Sequence, residues 1–151
     1  MATRFGNPLS EGAVRRVIAA WHAALADGRD SEHFVPYLAD RGLVVHLPQH
    51  TLRTPEDFRT WYAARRGRYT GERLTVENVS VRLRSPLHAD AEVEAVWEGR
   101  PDGSRGASSA RRRAFTEFWS LVQQENGPRV RLLSVHEWPP ADAGAPAARA
   151  A

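Results

Sequence analysis

The stretch Leu43–Tyr62, LVVHLPQHTLRTPEDFRTWY, constrains this chain most, because of what flanks it. It reads as a short apolar strand over Leu43–Leu47, a turn, and a helix whose start signal is written out. Two helical segments precede it and four long alternating runs follow. The order helix, helix, strand, helix and then four strands predicts an α+β fold, a curved antiparallel sheet wrapped around helices. Such a shape leaves a pocket.

Helix signals are explicit. Ser10 is placed to cap the first helix, Glu11–Ala26, with Glu11 at the positive end of its dipole. Val14, Val17, Ile18, Trp21 and Leu25 form one apolar stripe, and Asp27-Gly28 ends the helix. Ser31 caps a shorter segment, Glu32–Ala39, which Pro36 keeps short or irregular. Thr54-Pro55-Glu56-Asp57 opens the third helix, with Phe58, Trp61 and Tyr62 on its buried side.

Four strands are read after it. In Leu74–Arg84 the apolar phase slips near Asn78, as a bulge would make it. Ala91, Val93, Ala95 and Trp97 alternate with Asp90, Glu92, Glu94 and Glu98, giving one buried and one wet face. Gly99–Ala110 reads as a long hairpin tip. Arg111–Gln124 is apolar on both faces, so either it is central or its outer face meets another subunit. Arg129–Trp138 is the last strand.

At 151 residues the chain suits one domain, placed at residues 10–138, after a flexible stretch 1–9. Residues 139–151, rich in Pro and Ala, read as a disordered tail. No apolar run is long enough to span a membrane, and no charged-then-apolar leader opens the sequence. There is no cysteine, hence no disulfide, thiolate metal site or cysteine nucleophile. A cytoplasmic protein is expected. The net charge of +3 is carried by arginine alone, 21 residues against 18 acids, and lysine is absent. Arg65–Arg68 ends a helix and Arg111–Arg113 opens a strand, so both clusters read as solvated element ends rather than a nucleic-acid surface.

The pattern resembles the nuclear-transport-factor-two-like superfamily and, within it, the SnoaL-like proteins. The resemblance rests on the first helix with Trp21, the LADRGLVVHLP stretch, the Thr-Pro-Glu-Asp-Phe helix and the four long strands, and covers Ser10–Trp138. It implies a cone: a strongly bent sheet around three helices of the N-terminal half, with a pocket at the open end. It also implies a homodimer through the convex sheet face. Members include ketosteroid isomerase, scytalone dehydratase, limonene-epoxide hydrolase and polyketide cyclases, while others only bind ligands or proteins, so fold does not fix function. Where an acid often follows the proline in that pattern, this chain has Gln49.

Enzymes of that kind work without metal or cofactor, placing an acid, a His or a Tyr in an apolar pocket that retunes its pKa. Glu117, between Phe115 and Trp119 on one face of a strand, is the leading candidate for an acid or base. Its alternative is an ion pair across a dimer interface. His136, beside Leu132, Ser134 and Trp138, is expected to meet Glu117 if the registers allow; otherwise it is a half-buried structural His. His46 interrupts Val44-Val45 and Leu47, His22 borders the apolar stripe of the first helix beside Trp21, and either enters the cone or serves structure. Tyr62 would stabilise an oxyanion or simply pack. Trp21, Gln49, Phe58, Trp61, Trp97, Phe115 and Trp119 are the expected pocket walls. His46 and His50 do not share a helix face, so no metal is expected, and no nucleotide-binding or serine-hydrolase motif is present.

The expected function is cofactor-independent acid/base chemistry on an apolar polyketide- or terpenoid-like substrate in bacterial secondary metabolism: cyclisation, isomerisation, dehydration or epoxide opening. The alternative is a non-catalytic ligand-binding or dimerisation module of the same fold. Neither a nucleic acid nor a membrane is expected as partner.

Overall fold

The computed structural model describes residues 7–101 and 110–137. Most of the expected hairpin tip, the tail from residue 138 and the first six residues lie outside them. Helix α1 spans Glu11–Ala26, and the Ser10 hydroxyl accepts the Ala13 N–H at 3.1 Å. Its buried stripe is Val14, Val17, Ile18, Trp21, His22 and Ala24, and Gly28, at φ 65°, turns the chain out of it.

The second helical segment differs from expectation. Pro36 lacks the N–H that an α-helix would need, and the segment resolves into two 3₁₀ turns, Ser31–His33 and Val35–Tyr37. Strand β1 is Val44–Leu47 and is folded back on an unexpected strand β2, His50–Leu52. Helix α2, Pro55–Arg65, starts where the sequence places it: the Thr54 hydroxyl takes the Asp57 N–H at 3.0 Å, and the Asp57 carboxylate takes the Arg53 N–H at 2.9 Å. The four long strands are β3 Tyr69–Ser85, β4 His88–Pro101, β5 Arg111–Gln124 and β6 Gly127–Glu137.

The six strands form one sheet in the order β2-β1-β6-β5-β4-β3. It is mixed rather than antiparallel, because β1 runs parallel to β6. The long connection from β1 to β6, through β2, α2, β3, β4 and β5, allows this, since the chain does not return to β1 by a hairpin. Sheet curvature has identifiable seats. Register shifts interrupt β3 against β4 between Thr70 and Arg73, Val76 and Asn78, and Leu83 and Ser85, and β5 against β6 at Ser120/Leu121. The shift at Val76/Asn78 is the expected bulge; it keeps Leu74, Val76, Val79 and Val81 opposite Trp97, Ala95, Val93 and Ala91.

The core lies between the helices and the concave face. Trp21, Phe34, Phe58, Tyr62 and Trp119 form its aromatic centre, all at most 3 % exposed. Trp21 meets Phe34 and Trp119 edge-on at 4.8 and 5.6 Å between centroids, and Phe58 stacks on Tyr62 at 5.6 Å. Each such ring contributes about 1.5–3 kcal/mol by burial. No described helix is long and apolar enough to cross a membrane.

Candidate functional site

Strand β5 aims alternate residues inward: Arg113, Phe115, Glu117, Trp119 and Leu121 share the concave face. Glu117 is therefore set into the core, at 3 % exposure. The partner that reaches it is His22 of α1, 95 residues away in sequence and 4 % exposed. His22 Nε2 lies 2.8 Å from Glu117 Oε1, and the Trp119 indole N–H donates to the same oxygen at 2.8 Å.

The proton count of this cluster follows from its acceptors. His22 Nδ1 lies 2.7 Å from the Ile18 carbonyl, which can only accept, so Nδ1 carries a hydrogen. A second hydrogen must then lie between His22 Nε2 and Glu117 Oε1. The pair shares that hydrogen, and the interactions that lift the His22 pKa favour its imidazolium form. Burial pulls the His22 pKa down, but the hydrogen bond and charge of Glu117 and the Ile18 carbonyl together lift it above 6.5. Among the described residues no hydrogen bond uses Glu117 Oε2.

Glu117 lines a large cleft of about 1410 Å³ enclosed by α1, the β1–β2 hairpin, α2 and the concave sheet. Ligand clefts commonly measure about 300–1,000 Å³, so this one has room for a multi-ring or extended molecule. Its inner wall is apolar, with Trp21, Leu25, Val45, Phe58, Trp61, Phe115, Leu133 and Val135. Its mouth is polar, with Arg113 paired to Glu137 at 3.1 Å and Arg65 paired to Glu72 at 3.3 Å. The other side of His22 borders a smaller groove between α1 and β3, about 430 Å³, lined by Ile18, Ala19, Ala23, Leu74, Val76 and Val79. The His22–Glu117 bridge thus forms part of the partition between two cavities.

The structure distributes the sequence candidates unevenly. Trp21, Gln49, Phe58, Trp61, Trp97 and Phe115 line the cleft as expected. Trp119 does not; it is fully buried beneath Glu117 and holds that carboxylate instead. His136 does not meet Glu117. Glu117 stands opposite Val135, while His136 stands opposite Thr116 on the convex face, exposed and bonded to the Ser134 hydroxyl at 2.8 Å. His46 is on that face as well, exposed and 3.2 Å from the Thr51 hydroxyl, because Val45 and Leu47 take the inward positions of β1. Tyr62 is committed to structure: its hydroxyl donates to the Arg29 carbonyl, and burial raises its pKa above 10.0 against the pull of Arg65 and Arg66. No group of three or more His, Asp or Glu among the described residues is arranged to hold a metal ion.

Sequence reasoning missed the His22–Glu117 pairing and Arg113. The signal for the first was present: Val14, Ile18 and His22 follow at intervals of four on the buried stripe of α1, and a histidine in that place demands a buried acceptor.

No family model and no curated protein sequence matches the chain. Solved structures do match it. A protein from Novosphingobium aromaticivorans, assigned provisionally as a scytalone dehydratase, superposes with TM-score 0.73 at 11 % identity, over 83 % of this chain and 82 % of that one. A type 2 hexachlorocyclohexane dehydrochlorinase, LinA, gives TM-score 0.72 at 9 % identity, over 84 % of each chain. An NTF2-like protein with a cystatin-like fold, also from N. aromaticivorans, gives 0.67 at 16 %, over 92 % of this chain and 86 % of that one. The fold is thus the cystatin-like, NTF2-like fold, which hosts enzymes among its members.

Proposed function

We propose that this protein is a cofactor-independent enzyme that moves a proton on an apolar small molecule, with Glu117 as the base and then the acid. One observation carries the reading: a buried carboxylate lines an apolar cleft with one oxygen free of hydrogen-bond partners among the described residues, while its other oxygen is held by His22 and Trp119. Glu117 Oε2 takes a proton from a carbon of the substrate. His22 stays an imidazolium, and its charge lacks a carboxylate only while the substrate is anionic, so the two opposite charges form and vanish together. The same oxygen then returns the proton to another substrate atom, giving an isomerisation, or to a leaving group, giving an elimination. The two named neighbours above, a dehydratase and a dehydrochlorinase, support elimination as the first chemistry to try. A polyketide- or terpenoid-like substrate of bacterial secondary metabolism suits the size and apolar wall of the cleft. Phe118 and Leu132, half-buried on the convex face, favour a homodimer through that face.

The test is a panel of halogenated, hydroxylated and enone ring compounds, assayed for product with wild type and Glu117→Gln, with binding measured alongside. Turnover lost in the variant with binding retained supports the reading. Binding without turnover in wild type across the panel, with no solvent deuterium entering any bound compound, favours the binding module instead.

A further inference from the structure

The strand registers set the convex side chains in cross-sheet rows. One row reads Glu94 on β4, Thr116 on β5 and His136 on β6. The next reads Glu92 on β4, Phe118 on β5, Ser134 on β6 and His46 on β1. Each row thus has an exposed acid at one end and an exposed histidine at the other, with β5 between them. Within one chain the ends cannot meet, because β4 and β6 are two strand spacings apart, roughly 10 Å. Glu92 and Glu94 accordingly join no ion pair among the described residues. Asp90 and Glu98, on the same face, do: they pair with Arg84 and with Arg73 and Arg112. His136 and His46 bond only to hydroxyls, those of Ser134 and Thr51.

The other charges stand outside these rows. Arg82 and His88 lie beside Asp90, and Arg129 of β6 is turned to the Leu38 carbonyl. Exposed Arg131 precedes Leu132 on β6. On β3 the rows end in Ser80 and Asn78, with Glu77 in the bulge beside Asn78.

We infer that two copies of the chain pack convex face on convex face about a twofold axis running along β5, which sets Glu94 and Glu92 of each on the histidine end of the same row in the other. This rests on the homodimer proposed above and deepens it by naming the surface each copy offers. Phe118 and Leu132, half-buried, supply the apolar contact. Charge chooses the axis. A twofold along β5 reverses each row onto itself, so acid meets histidine twice per row, an isologous and self-complementary contact. A twofold running across the strands would set acid on acid and histidine on histidine. Histidine changes charge between about pH 5 and 8 while the glutamates stay ionised, so the contact tightens as pH falls through that range.

Two measurements test the arrangement. In sedimentation equilibrium the wild-type dimer is expected to dissociate about tenfold or more weakly at pH 8 than at pH 5.5 in its tightness, that is, with a dissociation constant at least about tenfold higher at pH 8. The double variant Glu92→Gln, Glu94→Gln removes that dependence, and His136→Lys, charged throughout, brings the pH 8 value toward that at pH 5.5. The chain has no cysteine, so cross-linking is unambiguous. Glu94→Cys mixed with His136→Cys should form a disulfide-linked dimer under oxidation, and neither alone should. A dimer whose affinity is flat from pH 5.5 to 8, a pH dependence that survives the two Gln substitutions, or self-linking of Glu94→Cys overturns the arrangement and leaves the dimer standing. A single-chain mass at every pH overturns both. Proton transfer at Glu117 is judged by its own turnover assay in each case.

Discussion

Replacing Glu117 by Gln is nearly isosteric, yet the structure predicts a large cost. Two donors converge on one oxygen, Oε1: His22 Nε2 at 2.8 Å and Trp119 Nε1 at 2.8 Å. An amide nitrogen placed there would face the Trp119 N–H, so the amide oxygen must occupy it. His22 then has two choices. As an imidazolium it becomes a buried charge with no counter-charge. As a neutral ring it either sets the Nε2 lone pair against the amide oxygen or gives up its bond to the Ile18 carbonyl at 2.7 Å. Removing one partner of a buried charged pair costs about 3–5 kcal/mol, and an unmade buried hydrogen bond about 1–3 kcal/mol. Glu117→Gln should therefore lose about 3 kcal/mol in urea denaturation at pH 7. The pH dependence should also invert. In wild type the His22 pKa is raised above 6.5, so its stabilisation is complete below pH 6.5 and is lost as pH rises through the folded value. In the variant only the Ile18 carbonyl still opposes burial at His22, its pKa falls, and stability declines as pH drops toward acid. His22→Leu combined with Glu117→Gln leaves the amide oxygen to Trp119 alone and should be more stable than the single variant. A Glu117→Gln protein within about 0.5 kcal/mol of wild type, with the same pH slope from 5 to 8, would refute the shared-proton assignment.

The other expectations follow from single contacts. Tyr62→Phe loses the bond to the Arg29 carbonyl and should cost about 1–2 kcal/mol in thermal or urea unfolding, with turnover unchanged once folded. Gly99→Ala drives a Cβ to within 2.6 Å of the Trp97 ring; a cost of about 1–3 kcal/mol and an altered tryptophan emission are expected. His46→Ala and His136→Ala, both on the exposed convex face, should each stay within about 0.5 kcal/mol of wild type and leave turnover intact. The proposed homodimer through the convex face predicts a mass of twice the chain in light scattering, reduced to one chain by Phe118→Glu.

The fold was legible because its signals are local. The caps at Ser10 and Thr54, the proline in the second segment and the phase slip at Asn78 each act within a few residues, and the element order leaves few ways to stack them. Strand β2 and the parallel pairing of β1 were not legible, because three residues with one buried side chain carry no periodicity and strand direction is set by distant pairing. The candidate site was half legible. Glu117 stood out by its aromatic neighbours, but β5 carries apolar residues on both faces, so its inward parity could not be read from β5 alone.

That parity is set by β4, and the reason is one of volume. Ala89, Ala91 and Ala95 face the core, and Asp90, Glu92 and Glu94 alternate with them. Side chains that small leave space on the concave face, and the register fills it with two large aromatics of β5: Trp119 stands opposite Ala91 and Phe115 opposite Ala95. Once the two aromatics are drawn inward, the period of two carries Glu117 and Arg113 in with them and turns Thr116 and Phe118 out. On β6 the same pairing sends Val135 inward and His136 outward, which separates the carboxylate from the histidine that sequence proximity favoured. The acid must then find its partner across the core rather than along the sheet, and α1 supplies His22 because its apolar stripe lies against that space. The polar pair is thus placed by the packing of alanines against tryptophan and phenylalanine, which is why no motif in the sequence announces it.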